Sequence, residues 1–323
     1  MRGIGNRYLL LFLIPFLFQN VGRAQSSPAA NIDFDRVPWR LLSFKANSSF
    51  GNLETDVQLT VVQAGEIAEL LIASPQYRAA QASGSGTVSI RVRSNADPLL
   101  GSREELKTQS WFNPENIAAL QRVRVRRGKQ SWQKSYRFTQ GGVYRVRKKP
   151  ADEHEQGMTP DQWTSVQKAF YEYNGKDSEC PVIMEPNGLL YLASAIDVER
   201  QQFPLSICVF NKKQLHRLKI SGGPDQALEV DYLEKAQGTD TRIRKRIDAV
   251  KLSFEPSPLI PPDIEPETFS FLGLKGNFDI FLDKASGIPI QISGGSSSFG
   301  DVDILLHSVQ INARRTPASL SQP

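Results

Sequence analysis

The amino-acid sequence predicts a mainly β chain of α+β type: a curved antiparallel sheet or half-barrel around one or two mid-chain helices. Three observations predict it. Apolar residues recur at every second position in short stretches from Leu53 to Leu306, the period of half-buried strands. Two segments, both mid-chain, depart from that period. Strands lie before and after them, an order that suits a sheet curled around a helix better than a sandwich, where no helix is required.

In chain order, Arg2 and Arg7 precede an apolar run, Tyr8 to Phe18, and Gly22 and Ala24 stand at the −3 and −1 positions of a cleavage point before Gln25. That is the layout of a secretory signal peptide over residues 1–24, with an apolar run about half the roughly 20 residues a spanning helix needs. The leader predicts a periplasmic protein, and no later segment approaches membrane-spanning length. Residues 25–39 read as a lead-in, 40–313 as one large β-rich domain and 314–323 as a flexible tail.

Leu53, Val57, Leu59 and Val61 share one face of the first stretch, and Val88, Ile90 and Val92 share a face of the next. Val123 and Val125 alternate with Arg122, Arg124 and Arg126. Trp132, Tyr136 and Phe138 point one way, followed by Tyr144 and Val146. The same style returns at His216–Ile220, Leu228–Tyr232, Val250–Phe254, Phe278–Leu282, Ile288–Ile292 and Val302–Leu306.

Thr159, Pro160 and Asp161 form a helix-start signal, and Trp163, Val166, Phe170 and Tyr173 give a helical stripe ended by Gly175. A shorter helix follows Pro186, carrying Leu189, Leu192, Ala193 and Ile196. Loops are expected at Ser83–Gly86, at Ala151–Gly157 and at the proline-rich Glu255–Glu267, which is excluded as a central strand. Cys180 and Cys208 are the only cysteines. In an oxidising compartment they are expected to form one structural disulfide, with buried free thiols as the alternative.

Three stretches carry a family likeness: Trp111–Pro150, Asn187–Ile220 and Phe278–Ile311, the last containing LDKASGIPIQI. Together they resemble the bacterial exported proteins grouped as a domain of unknown function, number 3108 in that series. The final hairpin is also similar to outer-membrane lipoprotein carriers, whose half-barrel cradles acyl chains around a helix. The resemblance implies a fold and an exported location, and it brings no catalytic residues.

No catalytic constellation emerges from the residues. His154-Glu155 begins a zinc-protease pattern, but Met158 stands where the second His is needed. There is no Gly-x-Ser-x-Gly elbow and no phosphate-cradling loop. The expectation is a non-catalytic protein without metal or other cofactor, an unrecognised hydrolase being the minority reading.

Charge is the strongest signal. Arg122, Arg124, Arg126, Arg127, Lys129, Lys134, Arg137, Arg145, Arg147, Lys148 and Lys149 follow one another without an Asp or Glu, in a chain whose net charge is only +5. Alternation puts Arg122, Arg124 and Arg126 on one face, which Arg145 and Arg147 extend if neighbouring strands pair. Two readings stay open: a solvated outer face, or a docking face for phospholipid headgroups, lipopolysaccharide phosphates or acidic polysaccharide. Trp132, Tyr136 and Phe138 are either core or the lining of an acyl cavity. These eight residues are the candidate ligand-binding set. The functional expectation is a protein that binds a lipid-like or anionic envelope component. The alternative is an envelope assembly factor that contacts other proteins or polysaccharide through the basic face. Nucleic acid is not an expected ligand of an exported chain.

Overall fold

Two-residue alternation produces strands along most of the chain. The computed structural model describes residues 32–48, 51–75, 77–82, 86–98, 103–173, 180–260, 264–296 and 300–312. The strands are β1 (Trp39–Ser48), β2 (Gly51–Val62), β3 (Thr87–Pro98), β4 (Glu104–Phe112), β5 (Ala119–Arg127), β6 (Trp132–Phe138) and β7 (Gly142–Lys149). They continue with β8 (Ser165–Glu172), β9 (Ile183–Met184), β10 (Leu205–Asn211), β11 (Gln214–Gly222), β12 (Gln226–Ala236) and β13 (Thr239–Pro258). The last are β14 (Ser270–Phe271), β15 (Leu274–Asp283), β16 (Pro289–Ser296) and β17 (Gly300–Ile311). Helices are few: α1 (Ala64–Leu70), the single turn α2 (Glu153–Gln156) and α3 (Gly188–Ala195).

Antiparallel neighbours succeed one another from β8 back through β7, β6, β5, β4, β3 and β2 to β1. From β1 the sheet passes to β17, then β16, β15, β13, β11 and β10. β12 pairs antiparallel with β13 and parallel with β17, Leu233 lying opposite Ser308, so that β12, β13, β15, β16 and β17 close into a ring. The two ends of the succession also meet. Phe210 of β10 packs against Tyr171 of β8 and Phe138 of β6, with ring centroids 6.0 Å apart in each case.

One face of this curved sheet looks inward. Leu42 and Phe44, Val57, Ile90, Ile292, Ile304, Ile280, Leu252, Phe254 and Leu218 are buried there against α3, whose eight residues are all buried. A helix apolar on every side has to sit inside such a wrap. The Trp39 indole N–H donates to Ser194 Oγ at 2.9 Å, tying β1 to α3. The turn before β16 is built by Asp283, whose carboxylate accepts from the Ala285 N–H and Ser286 Oγ, and Gly287 supplies the positive φ of +73° that closes it.

The expected helix at Thr159–Gly175 is instead one 3-10 turn, Pro160–Gln162, followed by β8. Thr159, Pro160 and Gln162 do start a helical turn, but β7 presents unpaired backbone groups that β8 satisfies over eight paired positions. Trp163 and Tyr173 are buried as the stripe required, whereas Val166 is exposed. Gly142 permits the close approach of β7 and β8, since a Cβ there would meet the Tyr171 carbonyl and the Phe170 ring. The expected helix after Pro186 is α3.

The proline-rich loop begins later than expected, because β13 runs on to Pro258 opposite β11. The Leu259 N–H donates to the Leu215 carbonyl, so by alternation the nitrogens of Pro256 and Pro258 point away from β11. On that other side the pairing with β15 has already stopped at Phe254, and no donor is missed. Residues 151–157 hold α2, capped by Asp152 accepting from the Glu155 N–H. The proposed leader, most of the Ser83–Gly86 turn and the C-terminal tail lie outside the described residues.

Cys180 and Cys208 are joined, tying the segment before β9 to β10 around the part of the chain that contains α3. With a sequence separation of 28, the chain-entropy model assigns the bond about 3.5 kcal/mol. Replacing both cysteines with Ala is expected to lower the urea unfolding free energy by about that amount, an outcome read from equilibrium denaturation of the two proteins. His216 in β11 supplies a second test. It is buried edge-on to Phe269, neither ring nitrogen has a partner among the described residues, and burial, aided by Lys212, pushes its pKa down to about 4. The unfolded state therefore takes up the proton first. Stability is full above the ordinary value of 6.5 and falls as pH drops toward 4, by about 1.4 kcal/mol per pH unit. Denaturation at a series of pH values should show this slope in the wild type and lose it in His216→Leu.

Candidate functional site

The pairing of β4 to β8 decides where the arginines point. Arg122 lies opposite Ser110 and Tyr136, and Tyr136 opposite Arg145. Arg124 lies opposite Thr108 and Lys134, and Lys134 opposite Arg147. Arg126 lies opposite Leu106 and Trp132. Ser110 and Thr108 in turn face Ile90 and Val92 of the apolar lining, so the basic face is the inner face of the sheet. The solvated outer face is not where these residues sit: Arg122 is buried, and Arg124, Arg126, Arg145 and Arg147 are half-buried.

The opposite, outer side of β4 and β5 is covered as well. Trp111, Leu120 and Val123 pack against α1 and the segment after it, through Ile67, Leu71, Ala80 and Ala82. Gln121 brackets that segment, donating to the Leu70 carbonyl and accepting from the Ile72 N–H, both at 2.7 Å. Arg137, also in the basic run, donates to the carbonyls of Leu120 and Ala80 and serves packing. Arg127 lies over the Trp163 ring at 4.8 Å, and Phe170 stacks on Tyr77, so neither Trp163 nor Phe170 joins the inner face with Tyr136 and Phe138.

On the inner face the cations are held by aromatic rings. Arg122 lies over Tyr136 at 4.4 Å, Lys134 and Arg124 over Trp132 at 4.3 and 5.6 Å, and Arg145 over Tyr171 at 5.3 Å. Phe138 is buried beyond them against Phe210. Two carboxylates reach the cluster. Glu104 pairs with Arg126 at the rim, and Glu185, fully buried just before α3, pairs with Arg122 at 3.4 Å. Burial raises the Glu185 pKa, against the lowering effect of Arg122 and of hydrogen bonds from Ser110 and the Asn187 backbone. Arg122 Nε and Nη2 and Glu185 Oε1 have no partner among the described residues.

No ion pair joins Arg124, Lys134, Arg145 or Arg147 to a carboxylate among the described residues. Burial, with the neighbouring cations, pushes Arg124 down to about 10 and Lys134 down to about 8. A cleft of about 310 Å³ opens at the Arg124 end of this group; Arg122 and Arg124 line it, and Lys134, Arg145 and Arg147 stand further along the same face. Arg122, Arg124 and Glu185 form one wall, Leu53, Val92, Ala96 and Leu106 a second, and Leu272, Leu274 and Val302 a third. The lip is the two-residue turn Leu272-Gly273 between β14 and β15, where Leu272 stands at φ +47°. Glu185, Leu272 and the apolar walls were outside the residues expected from sequence. The one trace of Glu185 there is an acidic residue directly before Pro186 and the helix. Among the described residues, no group of three or more His, Cys, Asp or Glu is placed to hold a metal ion, and no helix is long and apolar enough to cross a membrane.

Breaking the buried pair from one side leaves a stranded charge. Glu185→Leu alone is therefore expected to cost about 3–5 kcal/mol, as is Arg122→Met alone, whereas the two combined should cost far less. Denaturant unfolding of the two single variants and the double variant checks this through the coupling energy.

Compared with known proteins, the chain matches no family model, and no curated protein matches it. Membership of the exported family named above is therefore not confirmed. Among solved structures, a crystal structure of a β-barrel-like protein of domain of unknown function DUF1849 from Brucella abortus is similar, with a TM-score of 0.45 and 10% sequence identity, over 88% of this chain and 100% of that one.

Proposed function

We propose that the chain is a non-catalytic binding protein of the bacterial periplasm that takes an anionic amphiphile into the cleft inside its curved sheet. One observation carries the reading: four half-buried cations without counter-ions stand on the same inner face as an apolar cleft. A site with a charged wall and apolar walls matches a ligand with a charged head and an apolar body. Leu272 adds to this. A left-handed turn position favours Gly or Asn, and the Leu found there packs against the hydrophobic core and presents an apolar side chain to the cleft. The exported location rests on the layout of residues 1–24 and agrees with a disulfide. The likeness to the exported family number 3108 belongs to the same proposal.

The alternative, an assembly factor that docks protein or polysaccharide on the basic face, suits a convex surface better than these inward-facing cations. The test is native mass spectrometry of the mature protein purified gently from its periplasm. A co-purifying lipid mass is expected, and Leu272→Asn should reduce it; Asn accepts the turn conformation but gives up core packing, so the melting temperature of the variant is measured beside the lipid mass to show that it is folded. Only apo masses from the wild type, at every extraction condition, would remove the proposal.

A further inference from the structure

The cations of the inner face also state how much charge the ligand brings; this step rests on the amphiphile reading above. Arg124, Lys134 and Arg147 are direct cross-strand neighbours in one row over β5, β6 and β7, and Arg145 stands two residues along β7 on the same face. Direct neighbours in such a row lie about 5 Å apart at Cβ, so the row spans about 10 Å. The three carboxylates nearby are committed elsewhere: Glu185 to Arg122, Glu104 to Arg126, and Glu267 to Lys212 and Lys213. Trp132 and Tyr171 hold Lys134, Arg124 and Arg145 in place through their ring faces without neutralising them.

Like charges directly opposed across strands repel, and in a partly desolvated cleft the repulsion is stronger than in water. A single carboxylate would leave three of the four cations unmatched. We propose that the ligand presents a phosphate-type head carrying at least two negative charges, shared by Arg124, Lys134, Arg145 and Arg147. A phosphomonoester or diphosphate fits the donor set chemically. Its tetrahedral oxygens accept from planar guanidinium forks and from an ammonium at once, which a flat carboxylate does less well. Arg124 lines the cleft and begins the row, so a head held along the row leaves its chains to the cleft's apolar walls, and the occupant is a phosphorylated lipid rather than a free anion.

The test holds the chains constant and varies the head. Dioctanoyl phosphatidic acid, phosphatidylglycerol and phosphatidylcholine are titrated into the mature wild-type protein at pH 7.5 and moderate salt by calorimetry. Phosphatidic acid is expected to bind about tenfold more tightly than phosphatidylglycerol, with phosphatidylcholine weakest. In Lys134→Met/Arg147→Met, phosphatidic acid should fall to within about twofold of phosphatidylglycerol while both still bind. That variant is expected to melt, without ligand, at or above the wild-type temperature, because it relieves repulsion; a lower melting temperature would mean the cations hold the fold and would overturn the assignment. Equal affinity for phosphatidic acid and phosphatidylglycerol in the wild type would overturn the charge assignment and leave the amphiphile reading standing. Binding of pyrophosphate but of none of the lipids would overturn the lipid as occupant. No binding of any of them would overturn the amphiphile reading itself.

Discussion

A helix that is apolar all round has no face to show to water, and α3 is such a helix. Its eight residues are covered by β15 and β16, by Trp39 of β1 and by the 3-10 turn Phe34–Arg36, where Phe34 stacks on Tyr191 at 5.1 Å. Covering it demands a sheet that curves back on itself, and the rest of the architecture follows. β12 closes the ring with β17, the disulfide ties Cys180, ahead of the helix, to Cys208 in β10, and Phe210 brings β10 against β6 and β8. The hydrophobic effect supplies the driving force for the wrap, at about 25 cal/mol per Å² of apolar surface buried.

α3 does not fill the whole interior. Its first residue abuts Phe112 at the end of β4, and the residues before it, Glu185 to Asn187, lie over the inner side of β4 and β5. Beyond that point the lining changes character, from Ile90, Val92 and Phe138 to Arg122, Arg124, Lys134, Arg145 and Arg147. Arg122 is the boundary. It is the one inner-face arginine matched by a buried carboxylate; beyond it Arg124, Lys134 and Arg145 lie over aromatic rings, and Arg124 lines the cleft.

The strands were legible in the sequence because half-buried strands announce themselves by alternation, and the stretches at Val88–Val92, Val123–Val125 and Phe278–Leu282 all lie in strands that follow it. The helix after Pro186 was legible because its apolar residues outnumber what one stripe needs. The Trp163–Tyr173 segment was not, since Trp163, Val166, Phe170 and Tyr173 fit a 3.6-residue period by chance of spacing while the unpaired edge of β7 decided the outcome. The basic row was legible as a shared face. Its direction was not. Alternation says that Val123 and Val125 oppose the arginines, and apolar residues are ordinarily assigned to the inside. Here α1 with Leu71, Ala80 and Ala82 covers the valine side, which frees the arginine side to face the lumen. That covering depends on Gln121 and Arg137 reaching backbone groups around residues 70–80, long-range contacts that no local pattern encodes.

Two departures from the most stable arrangement therefore meet at one cleft. Four cations stand together without counter-ions, and a leucine occupies a turn position that suits glycine or asparagine. Either alone would be an ordinary imperfection. A chain selected only for folding would relieve the first cheaply, by a glutamate on β6 in place of Lys134, which leaves the pairing of β5 to β7 in place, whereas the leucine also packs on the core. Arg124, at one end of the row, and Leu272 both line the cleft, and under the proposed function a ligand with an anionic head and an apolar body meets both: its head neutralises the row and its body packs on the leucine.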